Sequence, residues 1–408
     1  MLTPAAREYE KTPEIGLAER APAISFTQLR TYDSIARHSS VRRASKDCNL
    51  SQPAVTQSLA KLEALVGATL VERHAGGSRL NEFGTLFHRR VARFFSQFDA
   101  ALDRLGAEPD APILRSQVRA LIATVEHGSF AQAAAAIGLA QASLQRAARQ
   151  LQSNLRLPMY YRGAGGLTLT SEGIEFGRRM KLALQEIDWG IRELDEVRGG
   201  LSGPIVVGAM SLGGSVLLAA MLEGFVQRYP RAEITIRNES AAEMLKRLRG
   251  GDVDIVVGLA PESAVDELTS EALLLTPYSI VARRGHPLLR KRQVSREDVL
   301  AYGWLVGSEG SSRRACFERL FDGRHGANAP IATSAESIIH HLLTNSDRLT
   351  LMTSYELLHQ GAGLTAVPYE PIAPVPAIGI TTRTNWLPTR LHGAFIDTIR
   401  AHTAASLG

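Results

Sequence analysis

The chain has 408 residues and a formal net charge of +5; 45% of the residues are hydrophobic and 21% are charged. This length is too great for one hydrophobic core and suits two to four domains, and the composition is that of a globular protein rather than a disordered or fibrous one. Residues 1–200 contain 26 Lys and Arg against 21 Asp and Glu, a difference of +5, whereas residues 201–408 contain 20 of each. The excess positive charge therefore lies in the first half, a modest indication of a polyanionic partner.

The N-terminus and the cysteines exclude several classes of protein. Residues 1–23 mix acidic and basic side chains without an apolar core, so we expect a disordered leader rather than a secretory signal. No apolar run approaches the roughly twenty residues of a membrane span. Two cysteines, Cys48 and Cys316, are too few for a disulfide framework, and a redox role for Cys316 would need a resolving partner. We expect a cytoplasmic protein without a membrane segment.

The first two hundred residues contain one module twice. Between positions 30 and 90, many residues are identical to the residue 89 positions later, and the register holds without a gap. Unrelated helices rarely keep one register over such a length, so the pattern indicates an internal duplication. The identical pairs include His38/His127, Ser40/Ser129, Leu62/Leu151, Arg73/Arg162, Gly84/Gly173, Phe87/Phe176 and Arg90/Arg179.

The first copy has the pattern of a helix-turn-helix. Leu29 and Tyr32 lie on the apolar stripe of one helix, and Ser40 is placed to cap the next. Ser51 caps a third helix, which has Pro53 in its first turn. The outward positions of this third helix are Gln52, Thr56, Gln57 and Lys61. Amide and hydroxyl groups on such a face suit the major groove of DNA.

Two short strands and a long helix complete the first copy. Residues 70–73 and 79–81 read as strands around a Gly-containing tip, which predicts a wing whose Arg73 and Arg79 contact phosphates or the minor groove. Apolar residues then recur at spacings of three and four, a coiled-coil-like seam suited to pairing two subunits. The seam consists of Phe83, Phe87, Val91, Phe94, Phe98, Leu102 and Leu105.

Residues 49–84 resemble the N-terminal domain of LysR-type transcriptional regulators. The resemblance rests on the run 51–55 (SQPAV), the continuation 62–73 and the wing ending at 80–84, where the family usually has Thr in place of Asn81. It implies that this copy binds double-stranded DNA; the alternative is a helix-turn-helix that contacts only proteins. The predicted DNA contacts of this copy are Ser40, Gln52, Pro53, Ala54, Thr56, Gln57, Lys61, Arg73 and Arg79.

The second copy keeps the pattern but changes its surface. Ala140 and Ala142 replace Ser51 and Pro53, so we expect a helix cap weaker by about 1 kcal/mol. Family members normally carry one winged domain, so this copy is either a second DNA reader or a structural or dimerising unit. Its predicted DNA contacts are Gln141, Ser143, Gln145, Arg146 and Arg162.

From residue 201 the pattern changes to alternating short strands and helices, which predicts a parallel α/β sheet. The runs 203–208 (GPIVVG), 251–254 (GDVD) and 285–288 (GHPL) resemble the effector domain of LysR-type regulators. The resemblance implies a two-lobed fold like that of periplasmic binding proteins, with a small-molecule effector between the lobes. The predicted effector contacts are Ser211, Ser240, Ser308, Ser311 and Ser334. The loops show no obvious basic pair and contain Glu309 and Glu336, which weakly favours a neutral or hydroxylated ligand.

The predicted fold is multidomain: two mainly α winged helix-turn-helix domains with long linker helices, then an α/β two-lobed effector domain. The predicted bounds are 24–108 and 112–199 for the copies and 203–408 for the effector domain. Lobe I takes about 203–275 and 375–408, and lobe II about 276–374. The resemblance implies a homodimer or homotetramer paired through the linker helices, with four winged units in each dimer, and contact with RNA polymerase if the protein is an activator.

The sequence lacks the common signatures of catalysis. No Gly-rich phosphate loop or nucleophile elbow is present, and His340 and His341 are adjacent, so they face different sides of a helix and make a poor metal pair. We predict no enzymatic activity, cofactor or metal. An α/β enzyme with appended helical domains and a sensor that binds only protein partners are the rival hypotheses.

Overall fold

The structure, a computed structural model, describes residues 17–74, 77–109, 111–163, 166–210, 214–321 and 328–405. The chain divides into two compact units, Met1–Gly200 and Leu201–Gly408. Among the described residues, no helix is both long and apolar enough to cross a membrane.

The first copy of the repeat begins with a helix that the sequence did not predict. Leu17–Ala23 (α1) lies at the end of the segment predicted to be a disordered leader, and Ala21 is buried. The helix packs against the helix Gln52–Val66, and Arg20 forms an ion pair with Asp195 at 3.5 Å. The leader prediction is therefore wrong for residues 17–23, and residues 1–16 lie outside the described part. The other elements are α2 (Phe26–His38), α3 (Val41–Asp47), α4 (Gln52–Val66), β1 (Val71–His74), β2 (Gly77–Leu80) and α5 (Glu82–Leu105).

The second copy repeats these elements in the register of the duplication. Each helix and strand from α2 to β2 begins 89 residues later in the second copy, and each also ends 89 residues later except α3, whose counterpart is one residue longer; the last helix begins 89 residues after α5. The elements are α6 (Arg115–His127), α7 (Phe130–Ile137), α8 (Gln141–Leu155), β3 (Tyr160–Gly163), β4 (Gly166–Leu169) and α9 (Ser171–Gly199).

Equivalent side chains fix the wings in the two copies. Glu63 Oε1 accepts hydrogen bonds from the backbone N–H groups of Leu70 and Val71, at 2.7 and 3.1 Å, where β1 begins. Gln152, 89 residues later, accepts the same pair of bonds at the start of β3, at 3.0 and 2.9 Å. Glutamine can take the place of glutamate at this position because both side chains provide the acceptor oxygen that these N–H groups need.

The two long helices pack against each other in antiparallel orientation within one chain. The Arg198 guanidinium near the end of α9 lies 5.2 Å from the centre of the Phe83 ring near the start of α5, and Gln97 near the end of α5 donates to Glu186 near the middle of α9. The apolar seam of α5 predicts pairing between subunits. In the structure this helix instead packs on α2 of its own copy, where Phe26 contacts Phe94, and on α9. The second copy provides a partner surface in the same chain.

A buried ion cluster lies at the centre of this helix pair. Arg90 is 0% exposed, and Glu186 and Glu193 are each 1% exposed. Arg90 donates through Nη1 to Glu186 at 2.8 Å and through Nε to Glu193 at 3.0 Å, and a further nitrogen, Nη2, also donates to Glu193. Arg93 and Gln97 complete the hydrogen bonding of Glu186, each at 3.0 Å. The copies are therefore joined by charged groups that lose their compensation if one partner is removed.

The second unit contains two lobes with separate sheets. Lobe I has a five-stranded sheet in the order β6-β5-β7-β14-β8, in which β5, β6 and β7 are parallel and β14 is antiparallel to both of its neighbours. The prediction of a parallel sheet is wrong for β14, because the chain leaves lobe I after β8 and returns along β14 in the opposite direction. The elements are β5 (Gly203–Ala209), α10 (Gly214–Arg228), β6 (Ala232–Arg237), α11 (Ala241–Gly250), β7 (Ile255–Leu259), β8 (Leu268–Leu275), β14 (Ala377–Arg383) and α16 (Arg390–Ala405).

Lobe II lies between the two crossings of the chain. Its strands form an antiparallel sheet in the order β12-β9-β13 and a parallel pair, β10 and β11. The elements are β9 (Tyr278–Arg283), a 3-10 helix (Pro287–Arg290), α12 (Arg296–Leu300), β10 (Leu305–Val306), α13 (Ser312–Leu320), β11 (Ile331–Ala332), α14 (Glu336–Thr344), β12 (Thr350–Thr353), α15 (Ser354–Gln360) and β13 (Leu364–Ala366).

The buried cluster predicts unequal stability effects at two equivalent arginines. Arg90→Ala leaves Glu186 and Glu193 buried without their main partner, so the free energy of unfolding of the first unit should fall by about 3–5 kcal/mol. Arg179, its equivalent in α9, is 23% exposed and pairs with Glu175 of its own helix at 2.7 Å, so Arg179→Ala should cost about 1 kcal/mol. Denaturant unfolding followed by circular dichroism measures both.

Similar losses for the two variants would contradict a central role for this cluster. Replacing Arg90 by Met together with Glu186→Gln and Glu193→Gln should recover part of the loss, because it removes the buried charges along with their partner.

Candidate DNA interface and effector cleft

The first turn of α4 presents its polar side chains to solvent. Ser51 Oγ accepts from the backbone N–H of Ala54 at 3.3 Å, and Gln52 and Pro53 are the first two residues of the helix, as predicted. Gln52, Pro53, Gln57 and Lys61 are exposed, and Ala54 and Thr56 are half-buried. Val55, Leu62 and Val66 turn inward and are fully buried. The helix therefore offers its N-terminal end, with its positive partial charge, to an anionic partner.

Ser40 has a capping role in the structure. Its Oγ accepts from the backbone N–H of Arg43 at 3.3 Å at the start of α3, so its hydroxyl is committed to the turn between α2 and α3. The neighbouring Ser39 carbonyl accepts from the N–H of Ser78 in β2 at 3.0 Å. A Cβ at Gly77, where φ is +137°, would lie 2.6 Å from this carbonyl oxygen, so the position requires glycine. The wing is thus fixed to the helix-turn-helix.

The arginines of both wings are exposed. Arg73 lies in β1 opposite Ser78, and Arg79 lies in β2 opposite Glu72. Arg162 lies at the position in β3 equivalent to Arg73. Residues 75–76 and 164–165 at the wing tips lie outside the described residues.

The helix α8 presents a different set of side chains on the same frame. Gln141, Ser143 and Arg146 are exposed, and Gln145 is half-buried. Ala140 makes no side-chain hydrogen bond at the start of the helix, which confirms the predicted loss of the cap. The predicted DNA contacts of both copies therefore lie on accessible parts of equivalent elements.

The structure brings together three of the five predicted effector contacts. Ser308 and Ser334 follow the parallel strands β10 and β11, and their Oγ atoms are 3.1 Å apart. Ser311 Oγ donates to the Ser308 carbonyl at 2.7 Å and accepts from the backbone N–H of Arg314 at 3.2 Å as the cap of α13. Ser240 lies in lobe I, where it caps α11 through the N–H of Glu243 at 3.3 Å. Ser211 lies outside the described residues.

Two ion pairs around these serines were missed by the sequence analysis. Arg319 of α13 in lobe II donates to both carboxylate oxygens of Glu262, at 2.8 and 3.1 Å, and Glu262 follows β7 of lobe I. Arg313 of the same helix pairs with Glu356 of α15, and both are buried. No local pattern marks either pair, because 57 and 43 residues separate the partners.

The cysteines and the adjacent histidines have ordinary surroundings. Cys316 is 1% exposed, and burial raises the pKa of its thiol to about 11. Cys48 is half-buried, and desolvation also raises its pKa. His340 Nε2 donates to the Ala362 carbonyl at 2.8 Å, while His341 is exposed. The described residues contain no group of three or more side chains suited to hold a metal ion.

Comparison with known proteins places the repeats and the second unit in one class. The family model for the bacterial regulatory helix-turn-helix protein, lysR family, matches residues 26–85 and again residues 116–174. The model for the LysR substrate binding domain matches residues 198–404. The two helix-turn-helix matches coincide with the two copies of the repeat.

Several regulators are similar over long stretches. The HTH-type transcriptional regulator GalR of Pseudomonas putida is 31% identical over 388 residues, which cover 92% of this chain and 96% of that protein. The HTH-type transcriptional regulator GbpR of Rhizobium radiobacter is 28% identical over 218 residues, 53% of this chain and 72% of that protein. A full-length OxyR variant of Pseudomonas aeruginosa shares the fold, with a TM-score of 0.51 and 16% identity over 71% of this chain and 93% of that chain.

The surroundings of the thiols predict an order of reactivity. Because the thiolate is the nucleophile, and Cys316 combines burial with a pKa of about 11, N-ethylmaleimide at pH 7.5 should label Cys48 at least about ten times faster than Cys316. Mass spectrometry of quenched time points measures both rates in the native protein. Faster labelling of Cys316 would contradict its placement and restore the redox hypothesis.

Proposed function

Because the chain belongs to the LysR family of transcriptional regulators, we propose that its two winged copies read DNA together, as one intrachain pair under the control of a small-molecule effector. The similar proteins are themselves named transcriptional regulators, so the chain is a regulator and not an enzyme. The match to GalR covers 92% of this chain and therefore extends over both copies.

The antiparallel packing of α5 on α9 carries this proposal. It joins the two copies into one unit through Arg90, Glu186 and Glu193, so a single chain presents two recognition helices, α4 and α8. The outward residues differ between equivalent positions, with Gln57 in α4 corresponding to Arg146 in α8. Glutamine suits adenine and arginine suits guanine, so the two half-sites of the operator differ in sequence.

The cluster also favours pairing between unlike copies. The residues of α5 equivalent to Glu186 and Glu193 are Gln97 and Arg104, 89 positions earlier. If two α5 helices paired in the same geometry, Arg90 would face an amide and a second guanidinium instead of two carboxylates. A buried arginine without a carboxylate is strongly destabilising, so α5 selects α9 as its partner.

The intrachain pair changes the expected assembly. With α5 and α9 packed on each other, a homodimer or homotetramer must form through other surfaces. Val226 on α10 and Ile236 on the edge strand β6 are exposed apolar side chains of lobe I and are candidates for that contact. A dimer would still carry four winged units, and an activator would in addition contact RNA polymerase.

The effector would bind between the lobes, at the polar loops that end the parallel strands. Ser308, Ser311 and Ser334 supply hydroxyl groups from lobe II, and Ser211 and Ser240 are the proposed contacts from lobe I. The ion pair from Arg319 to Glu262 links the lobes and would respond to a change in their separation. An effector that binds one lobe arrangement more tightly shifts the population towards it.

The proposal predicts a composite operator. Selection of genomic fragments by the intact protein should return sites with two unlike half-sites. Gln52→Ala/Thr56→Ala should lose sequence preference in one half and Gln141→Ala/Arg146→Ala in the other, since a base contact contributes about 1–3 kcal/mol. Each double variant should bind the selected site at least about tenfold more weakly at fixed salt concentration.

The matched controls are Ala64→Ser in α4 and Ser153→Ala in α8, which are exposed, equivalent positions near the ends of these helices. They should bind as the wild type does. Unchanged binding by Gln141→Ala/Arg146→Ala would make the second copy a structural unit, and no selection by the intact protein would refute the DNA-binding proposal for both copies.

The proposed effector site gives a separate prediction. In a thermal-shift screen of neutral and hydroxylated metabolites, compounds that stabilise the wild type should lose most of that effect in Ser308→Ala/Ser334→Ala, because the facing hydroxyls are removed. Ser295→Ala, which removes the cap of α12 in the same lobe, is the control and should retain the response. Equal responses in both variants would place the effector elsewhere.

A further inference from the structure

Lobe II contains a cavity whose lining includes none of the five proposed effector contacts. It has a volume of about 300 Å³ and lies among α13, α14, α15 and the strands β12 and β13. Every residue that lines it belongs to lobe II. The volume is at the lower end of the range of small-molecule sites and accommodates a compound of about ten heavy atoms.

One end of the cavity is polar and buried. Arg313 is 4% exposed and donates through Nη2 to Glu356, which is 1% exposed. Glu356 also accepts from the backbone N–H of Thr353 at 3.1 Å. The Arg313 Nε group has no hydrogen-bond partner among the described residues. An unpaired buried donor is costly, so this group favours a hydrogen-bond acceptor that enters the cavity.

The rest of the lining is apolar, with a polar rim. Ile339, Met352 and Leu364 form the wall and belong to one buried cluster. At the rim, Gln360 donates to Glu336 at 3.0 Å. An apolar wall with a few polar groups at one end is typical of sites that bury most of a small molecule and orient it by one contact.

The charges around the cavity indicate an uncharged ligand. Arg313 is already balanced by Glu356, and Glu336 adds a further negative charge. A carboxylate in the cavity would therefore meet two carboxylates and one guanidinium. A hydroxyl or carbonyl oxygen can accept from Arg313 Nε without adding charge to a poorly solvated place.

We propose that this cavity is a second small-molecule site, which binds an uncharged compound with an apolar body and a hydroxyl or carbonyl oxygen placed against Arg313. The site lies wholly within lobe II and does not share the serine contacts proposed for the effector. It therefore goes beyond the proposed function and does not depend on how the winged copies read DNA.

Benzyl alcohol is a suitable probe, because it combines a six-carbon ring with one hydroxyl group. In the full chain with methyl-labelled Ile, Leu and Met, it should shift the resonances of Ile339, Met352 and Leu364. The dissociation constant should be about 1 mM, the affinity typical of a ligand of this size. Benzoate should bind at least about tenfold more weakly because of the two carboxylates.

Two tryptophan variants test whether the probe enters this cavity. Ser337 is exposed and lines the cavity near its rim, so Ser337→Trp should weaken benzyl alcohol binding at least about tenfold. Ile338→Trp, at the exposed neighbouring position that does not line the cavity, should bind as the wild type does. Ser308→Ala/Ser334→Ala should also bind normally.

Four outcomes would overturn the proposal. The first is the absence of shifts at the three wall residues of the wild-type protein, a measurement that needs no variant to fold. The second is equal binding by the two tryptophan variants, and the third is tighter binding of benzoate than of benzyl alcohol. Loss of binding in the double serine variant would instead assign the probe to the proposed effector site and so contradict a separate one.

Discussion

The first unit depends on a buried arginine between two buried glutamates. Arg90 of one copy and Glu186 and Glu193 of the other are each removed from water, at a desolvation cost that is offset mainly by their mutual contacts. Apolar packing alone would allow long helices to slide or to exchange partners, since such contacts are not directional. Charged hydrogen bonds require one register and one partner. The relative position of the two recognition helices follows from that requirement.

Much of this architecture could be predicted because the duplication repeats local signals. Ser40 and Ser51 mark helix starts, and the spacing of apolar residues marks the helices between them. The partner of α5 could not be predicted, because an amphipathic seam shows that a helix is covered but does not identify what covers it. The helix α1 was missed for a similar reason: it is stabilised by packing on α4 and by an ion pair to Asp195, which lies far away in the sequence.

The effector unit shows the same division between local and distant signals. Ser240 and Ser311 cap helices in the structure, and such a cap involves residues only three positions apart, so it is a local signal. The pairs Arg313–Glu356 and Arg319–Glu262 depend on the fold and left no mark in the sequence. Both begin on α13, near its first and its last turn, so one helix borders the lobe II cavity and also reaches lobe I. Each of these two arginines is therefore balanced by a glutamate. The serine loops themselves contain no evident pair of basic residues.

Joining two winged copies in one chain allows the two copies to differ in sequence. When two identical subunits pair, any change in the recognition helix appears in both half-sites at once. Here α4 and α8 are encoded separately, so Gln57 and Arg146 can occupy equivalent positions and favour different bases. Pairing also becomes intramolecular. The effective concentration of α9 around α5 is therefore set by the segment that connects the two copies, and not by the amount of protein. The pairing of α5 with α9 therefore needs no second chain.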